Sequence, residues 1–214
     1  HLVGPVAGAI AEAREEVKKT AGFDLYLIAD EVYFNVLAHS PAKGIFLRPE
    51  YTPEWERICA FDALTAYNPY SAEKKEFAGS AGAEHFLAEV QTLYRHYKGY
   101  AATVGIPFVP GVIPGYNDRG IRPAEDHYVV PRRLGRNGGE SFFQAAFKKW
   151  GLQFIDSSTP MIAVTSWNEW NEGTQIEPAA LSPVTRADTS PSGASYAANE
   201  TYDGYGLEYL EKLS

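Results

Sequence analysis

Cysteine is almost missing from this sequence. Cys59 stands alone among 214 residues, which excludes an intrachain disulfide framework and any cysteine-built metal cluster. Positive charge is thin as well. Nineteen Lys and Arg face 27 Asp and Glu, a net charge of −8, and no basic run is longer than a pair. That balance lacks the electrostatic footprint that phosphate backbones and anionic bilayers demand, so nucleic acid is not an expected partner. No window approaches the run of eighteen apolar residues that marks a membrane span. His39, His85, His96 and His127 are scattered singly, without metal-ligand spacing, so neither a metal nor a cofactor is expected.

Apolar residues, by contrast, make up 45% of the chain, enough for one sizeable folded domain spanning residues 1–214. Aromatics are abundant, with 14 Tyr, 11 Phe and 4 Trp. Aromatic faces stack on the C–H faces of sugar rings as well as filling cores, so the surplus points mildly towards carbohydrate. The chain begins at His1 inside a helical pattern, so a piece of a longer polypeptide is expected.

Helical and strand-like segments alternate. Pro5 to Thr20 reads as a helix ended by Gly22, and Phe23 to Ala29 as a short buried strand. Thr52 and Pro53 signal a helical turn that leads into a second strand, Ile58 to Tyr67. Glu84 to Val104 carries Phe86, Leu87, Val90, Leu93, Tyr94 and Tyr97 at helical spacing, with Gly105 closing it. Ile106 to Ile113 is a third strand, awkward because of Pro107 and Pro110. A helix over Gly139 to Trp150 precedes Pro160 to Ser166, the clearest buried strand, and a short helix runs from Gly206 to Leu213. Ser190 to Gly193 reads as a flexible loop.

Apolar strands separated by helices imply parallel pairing in an α/β fold. Four strands are half of the eight that close a barrel of roughly 250 residues, so the expected architecture is the C-terminal half or so of a (β/α)8 barrel. An open doubly wound sheet is the alternative, but it calls for a G-x-G-x-x-G phosphate turn, and none occurs.

In both architectures function gathers at the C-terminal ends of strands. Asp30 and Glu31, Tyr67, Asn68 and Tyr70, and the stretch Pro114 to Pro123 stand there. The segment after the fourth strand, Ser166 to Pro178, is the richest, with Glu169, Glu172 and Glu177 among two tryptophans and three carboxamides. In a helical turn Glu169 and Glu172 would share a face, about 5–6 Å apart at Cβ. Burial beside Trp167 and Trp170 should then push at least one of them towards the protonated form. One neutral and one ionised carboxyl are what cleavage of a glycosidic bond requires. The same pair could instead cap a loop or pair with Arg122, and Asp30 with Glu31 could be either a rival acidic site or a loop cap.

Thr165-Ser166-Trp167-Asn168-Glu169-Trp170-Asn171-Glu172-Gly173-Thr174-Gln175-Ile176-Glu177-Pro178-Ala179 closely resembles the signature of glycoside hydrolase family 99, the endo-α-mannosidases. Pro114-Gly115-Tyr116, Asp118 and Ile121-Arg122-Pro123 resemble a second stretch of that family, and Phe61 to Tyr67 a weaker third. The resemblance implies a (β/α)8 barrel and endo-acting hydrolysis of α-mannosidic linkages in oligosaccharides or polysaccharides. Configuration would be retained through attack by the sugar's own 2-hydroxyl and a 1,2-anhydro intermediate. It makes Glu169 the base for that hydroxyl and Glu172 the acid and then the base for water. Tyr67, Tyr116 and Arg122, with Asn168 and Trp170 inside the signature, become substrate contacts. It implies no metal, and it favours a secreted, periplasmic or secretory-pathway setting.

The spacing suits this chemistry. A direct nucleophile would face its partner across the bond at about 5–5.5 Å, whereas a base for a neighbouring hydroxyl can share a loop with the acid. The sequence departs from the family pattern at Trp167, at Asn171, where members usually carry His, and after Pro123. These changes touch sugar specificity more than the acid pair. Bacterial polysaccharide-locus proteins described as glycosyltransferases share the Asn-Glu-Trp-x-Glu-Gly core. A transferase in polysaccharide assembly and a non-catalytic sugar-binding remnant are therefore the alternatives.

Overall fold

A computed structural model describes residues 3–30, 58–67, 79–122, 129–134, 139–185, 188–193, 195–197 and 202–214. The expected turn at Thr52 and Pro53, and Glu31, Asn68, Tyr70, His39 and His127, lie outside the described residues. The chain divides into two compact units. The first comprises His1–Pro69, Leu93–Pro110 and Phe154–Met161, and the second Tyr70–Thr92, Gly111–Gln153 and Ile162–Ser214.

The first unit opens with α1 (Val3–Ala21), whose Ala-rich interior has high helix propensity. Gly22 ends it in the left-handed region at φ 80°, donating its N–H to Lys18 O at 3.1 Å. Strands β1 (Ile28–Asp30), β2 (Ala63–Thr65) and β3 (Phe108–Val109) form a parallel sheet in that order, with Leu64 opposite both Ala29 and Phe108. Helix α2 (Gly79–Val104) lies between β2 and β3 in sequence, the crossover that parallel neighbours require. In this unit Tyr94, Tyr97 and Phe108 are buried together, with Tyr97 stacked on Phe108 at 5.5 Å and Tyr94 edge-on to Phe108 at 5.1 Å.

The strands are shorter than the apolar runs that announced them, for local reasons. Leu27 gives its N–H to the Asp62 carboxylate rather than to a strand, so the ladder starts at Ile28, leaving Phe23 and Tyr26 half exposed. Residues 58–62 close a turn in which Phe61 N–H bonds Ile58 O, so β2 begins only at Ala63. Pro110, with no N–H to offer, separates β3 from β4 (Gly111–Val112).

In the second unit β4 pairs in parallel with β5 (Ala163–Val164). Between them in sequence runs α3 (Phe142–Ala146), continued by a π-helical turn over Phe147–Leu152. It starts three residues later than Gly139 because Phe142 donates to Arg132 O. Trp150 is fully buried, edge-on to Phe86 at 5.9 Å and to Phe142 at 5.7 Å, and its indole N–H reaches Leu87 O at 2.9 Å. The segment 160–166, expected to be buried on both faces, is half exposed. Met161 bonds back to Thr159 O, and among the described residues β5 pairs only with β4.

An antiparallel hairpin, β6 (Ala179–Thr185) with β7 (Tyr202–Gly206), was not anticipated; α4 (Glu208–Leu213) follows it. Gly204 permits the pairing, since a Cβ there would meet Ala180 O at 1.8 Å. The Ser190–Gly193 stretch is an ordered turn rather than a flexible loop. Asp188 accepts the N–H groups of Ser190, Tyr196 and Ala197.

Candidate active site

The acidic segment hangs from the end of β5. Thr165 is buried and donates its N–H to Val112 O at 2.9 Å, and the Thr165–Ser166 peptide is cis. From Ser166 the chain loops out and returns on itself. Ser166 N–H bonds Thr174 O at 2.8 Å, Ile176 N–H bonds Ser166 O at 3.0 Å, and the Ser166 and Thr174 hydroxyls meet at 3.0 Å. These bonds make a rigid neck, and the residues between project from it.

The turn at the tip is a single 3-10 turn, Trp170–Glu172, not the helical face expected from the spacing. Glu169 is its N-cap, donating its own N–H to Ser166 Oγ at 2.8 Å and accepting Asn171 N–H on its carboxylate at 3.1 Å. Gly173 closes the turn in the left-handed region at φ 63°. Its backbone lies so close to the next loop that a Cβ would stand 3.1 Å from Asn117 N. Asn117 in turn donates its N–H to Glu172 O at 2.8 Å. Arg132 pins the returning strand, its Nη2 donating to Gly173 O and Gln175 O at 2.9 and 3.0 Å while its guanidinium lies over Tyr205.

Glu172 faces a small charged cluster. Its carboxyl is 15% exposed, with Oε1 3.6 Å from Arg122 Nη1 and Oε2 buried without a hydrogen-bond partner. Burial pushes the Glu172 carboxyl above the ordinary carboxylate range. Arg122 opposes this, and the negative charges of Glu169 and Asp118 add to it. The upward shift matches the expectation, but its source does not. Trp167 and Trp170 are half exposed, and Glu172 is covered on the Tyr116–Arg122 side instead.

Of the residues singled out in the sequence, the second unit brings Glu172, Glu169, Arg122 and Tyr116 into one electrostatic group. Tyr116 is buried and its phenol bonds Asp118, which with burial pushes it well above its ordinary value. Arg122 proves to be both a loop pin and a neighbour of the acid. Asn168 is exposed, and its carbonyl accepts Trp170 N–H at 2.9 Å. Trp170 is held through its indole N–H by the Glu177 carboxylate, which gives Glu177 a definite task within the segment. Tyr67 belongs to the first unit, at the end of β2, where its N–H bonds the Asp30 carboxylate at 2.8 Å. That bond makes Asp30 a loop cap, one of its two anticipated roles.

Beside the turn the second unit carries an open pocket of about 640 Å³, lined by Trp170, Asn171, Gln175, Tyr196, Tyr202 and Arg132, among others. Such a volume and such a mixture of aromatic and carboxamide groups suit a small organic ligand. Asp118, 1% exposed, and Arg132 went unassigned in the sequence. Asp118 had a signal, standing inside the second motif stretch, whereas Arg132 had none, because its partners lie about forty residues away. Among the described residues no three His, Cys, Asp or Glu gather as metal ligands, and no helix is long and apolar enough to cross a membrane.

Comparison with known proteins locates this geometry. Residues 77–203 match the model of glycosyl hydrolase family 99. A mouse glycoprotein endo-alpha-1,2-mannosidase-like protein is 36% identical over 168 residues, which cover 73% of this chain and 32% of the relative. Mouse glycoprotein endo-alpha-1,2-mannosidase is 33% identical over 97 residues, 45% of this chain and 18% of that protein. The chain thus spans about a third or less of the curated relatives it matches. A solved glycoside hydrolase-like protein superposes with a TM-score of 0.59 at 18% identity, over 97% of this chain and 48% of its own, so the two share a fold. With the family model matching more than half of its residues, the chain belongs to glycosyl hydrolase family 99.

Proposed function

We propose that residues 1–214 are part of one catalytic domain, the C-terminal half or so of a (β/α)8 barrel, in a retaining endo-α-mannosidase-type glycosidase. The observation that carries this reading is Glu172, a carboxyl shielded from water, raised above the ordinary carboxylate range, and set beside Glu169 on the same loop. That is the environment of a general acid working near neutral pH.

In the proposed reaction Glu169 takes the proton of the sugar's 2-hydroxyl as that oxygen bonds to the anomeric carbon. The anomeric bond to the leaving oxygen breaks, and Glu172 donates its proton to that oxygen. Glu172, now a carboxylate, then takes a proton from water as the water oxygen attacks the anomeric carbon. The bond from that carbon to O2 breaks, and O2 recovers its proton from Glu169. Two inversions give net retention. The cap bond from Asn171 N–H fits a group that works ionised, since a charged acceptor makes the stronger bond. Tyr116, Arg122 and Asn168 would contact the sugar at the cleaved bond, and Tyr67 is retained as a further contact. Trp170, with its ring fixed by Glu177, would offer an aromatic face to the glycan where it passes the cavity. Asn171 on the same wall is where sugar preference would be set.

The test uses the full-length polypeptide with a mannose-containing oligosaccharide, product being followed by NMR from the first turnovers. The expected first product is the α-anomer. An initial β-anomer overturns the retaining route, dependence on an activated sugar donor indicates a transferase, and saturable binding without turnover indicates a binding module.

A further inference from the structure

A guanidinium near a carboxyl normally holds that carboxyl ionised, which is the wrong state for an acid catalyst. Arg122 stands beside Glu172, so something must keep it from doing so. The geometry shows where its charge is directed. Arg122 Nη1 lies 2.9 Å from Asp118 Oδ2, a charge-assisted hydrogen bond, but 3.6 Å from Glu172 Oε1, beyond hydrogen-bond range. The backbone enforces this choice. Ile121 and Arg122 both donate their N–H groups to Asp118 O, at 3.0 and 2.8 Å, winding the loop into a turn that sets the Arg122 side chain over Asp118. Asp118 is 1% exposed and also bonds the Tyr116 phenol, so two donors hold its carboxylate in place. Among the described residues the charged or titratable groups that face Glu172 are Arg122, Glu169, Asp118 and Tyr116.

Resting on the reading of Glu172 as the acid, we infer that Asp118 is a positioning residue for it. By keeping the Arg122 guanidinium in the shorter bond to itself, Asp118 holds the Arg122–Glu172 ion pair at 3.6 Å instead of hydrogen-bond distance and so weakens the pull of Arg122 on the Glu172 proton. Arg122 then acts at two levels. It stays close enough to stabilise Glu172 once the proton has gone, while its shorter bond to Asp118 limits how far it favours loss of that proton beforehand.

The experiment follows the Glu172 carboxyl by carbon-13 NMR titration in the full-length protein, the resonance being assigned by its loss in Glu172→Gln. Asp118→Asn keeps the shape and one acceptor but frees Arg122. The Glu172 titration and the alkaline limb of the kcat/KM profile should both move about one pH unit downward, the usual reach of a newly available opposite charge. Asp118→Glu, which keeps the charge, should leave the titration near the wild-type position. In an Arg122→Gln background, where no guanidinium remains to be released, Asp118→Asn should move it much less. This double substitution removes both members of the pair together and so leaves neither charge without its partner, buried Asp118 in particular.

An unmoved titration in Asp118→Asn overturns the inference and leaves Asp118 a structural residue. So does an equal shift in both Arg122 backgrounds, because Asp118 would then act by its own charge alone. The titration needs no turnover, so the two readings separate. If Glu172 responds as stated while the wild-type protein cleaves no α-mannoside, the Asp118 inference stands and the glycosidase reading falls.

Discussion

Asp62 and Glu172 are both partly shielded beside an arginine, and their proton affinities are shifted in opposite directions. In the first unit Asp62 is opposed by burial but receives the Leu27 N–H and Arg14 Nη2, each at 2.7 Å, and is held below the ordinary carboxylate range. In the second unit Glu172 has an arginine at 3.6 Å and an oxygen with no donor, and it is held above that range. Burial and an arginine nearby therefore do not decide ionisation. What decides it is whether the donors point at that carboxyl. Asp62 joins α1, β1 and β2 and works as an ionised strut, whereas Glu172 keeps one buried oxygen that no donor reaches.

This contrast is broken most strongly at Glu172. Glu172→Gln should lower turnover of an unactivated oligomannoside by about 10³-fold, the range of one general acid, with a smaller loss on an aryl mannoside whose leaving group needs no proton. Its thermal stability should not fall. A raised folded-state pKa means the folded chain binds the proton more tightly, so wild-type stability drops as pH climbs from the ordinary carboxylate range through the raised value. The Gln variant should lose that slope.

Next in size is a change in the first unit's core, where function should be untouched except through folding. Tyr94→Ala empties a fully buried site among Phe108, Phe154 and Tyr97 and should cost about 3–5 kcal/mol in urea unfolding. Asp62→Asn should cost about 1–2 kcal/mol at neutral pH, its charged hydrogen bonds being discounted for the one-third exposure of the side chain. The sign of its pH dependence is the reverse of that at Glu172. Stability from Asp62 is full above the ordinary Asp range and is lost as pH falls through its lowered value, a loss the Asn variant should not show on acid titration. Smallest is Trp170→Ala. Removing an exposed aromatic face should raise KM for long glycans about tenfold, roughly the worth of one aromatic contact, with kcat little changed.

The helices were legible because periodicity and glycine stops are local. Gly22 and Gly105 end α1 and α2 at φ 80° and 77°, as their places in the sequence foretold. Strand lengths were not, because a run such as Phe23 to Ala29 does not reveal that Leu27 will spend its N–H on Asp62. The β6–β7 hairpin was hidden altogether. Its strands carry Pro183, Gly204 and Gly206, residues that weaken a strand pattern, and it exists because Gly204 lets the two backbones close together. In the site, the acids and aromatics could be named from one string, but the neighbours of Glu172 could not. The Arg122–Asp118 bond and the Arg132 pin depend on segments that meet only after folding. The acid pair was therefore found with the wrong local shape, a helical face where a capped 3-10 turn stands.

Gly173 has a bearing on how distant relatives can be sorted. A side chain at this position would intrude on Asn117, whose N–H fastens the acid-bearing turn to the neighbouring loop. Glycine at 173 thus serves as a one-letter marker of loop docking. A larger residue there would have to displace Asn117 by a few tenths of an ångström and adopt a left-handed backbone that side chains disfavour, loosening the contact between the turn and the Tyr116–Arg122 segment. Among family members that keep both glutamates, glycine at this position is therefore expected wherever the turn stays docked on the neighbouring loop.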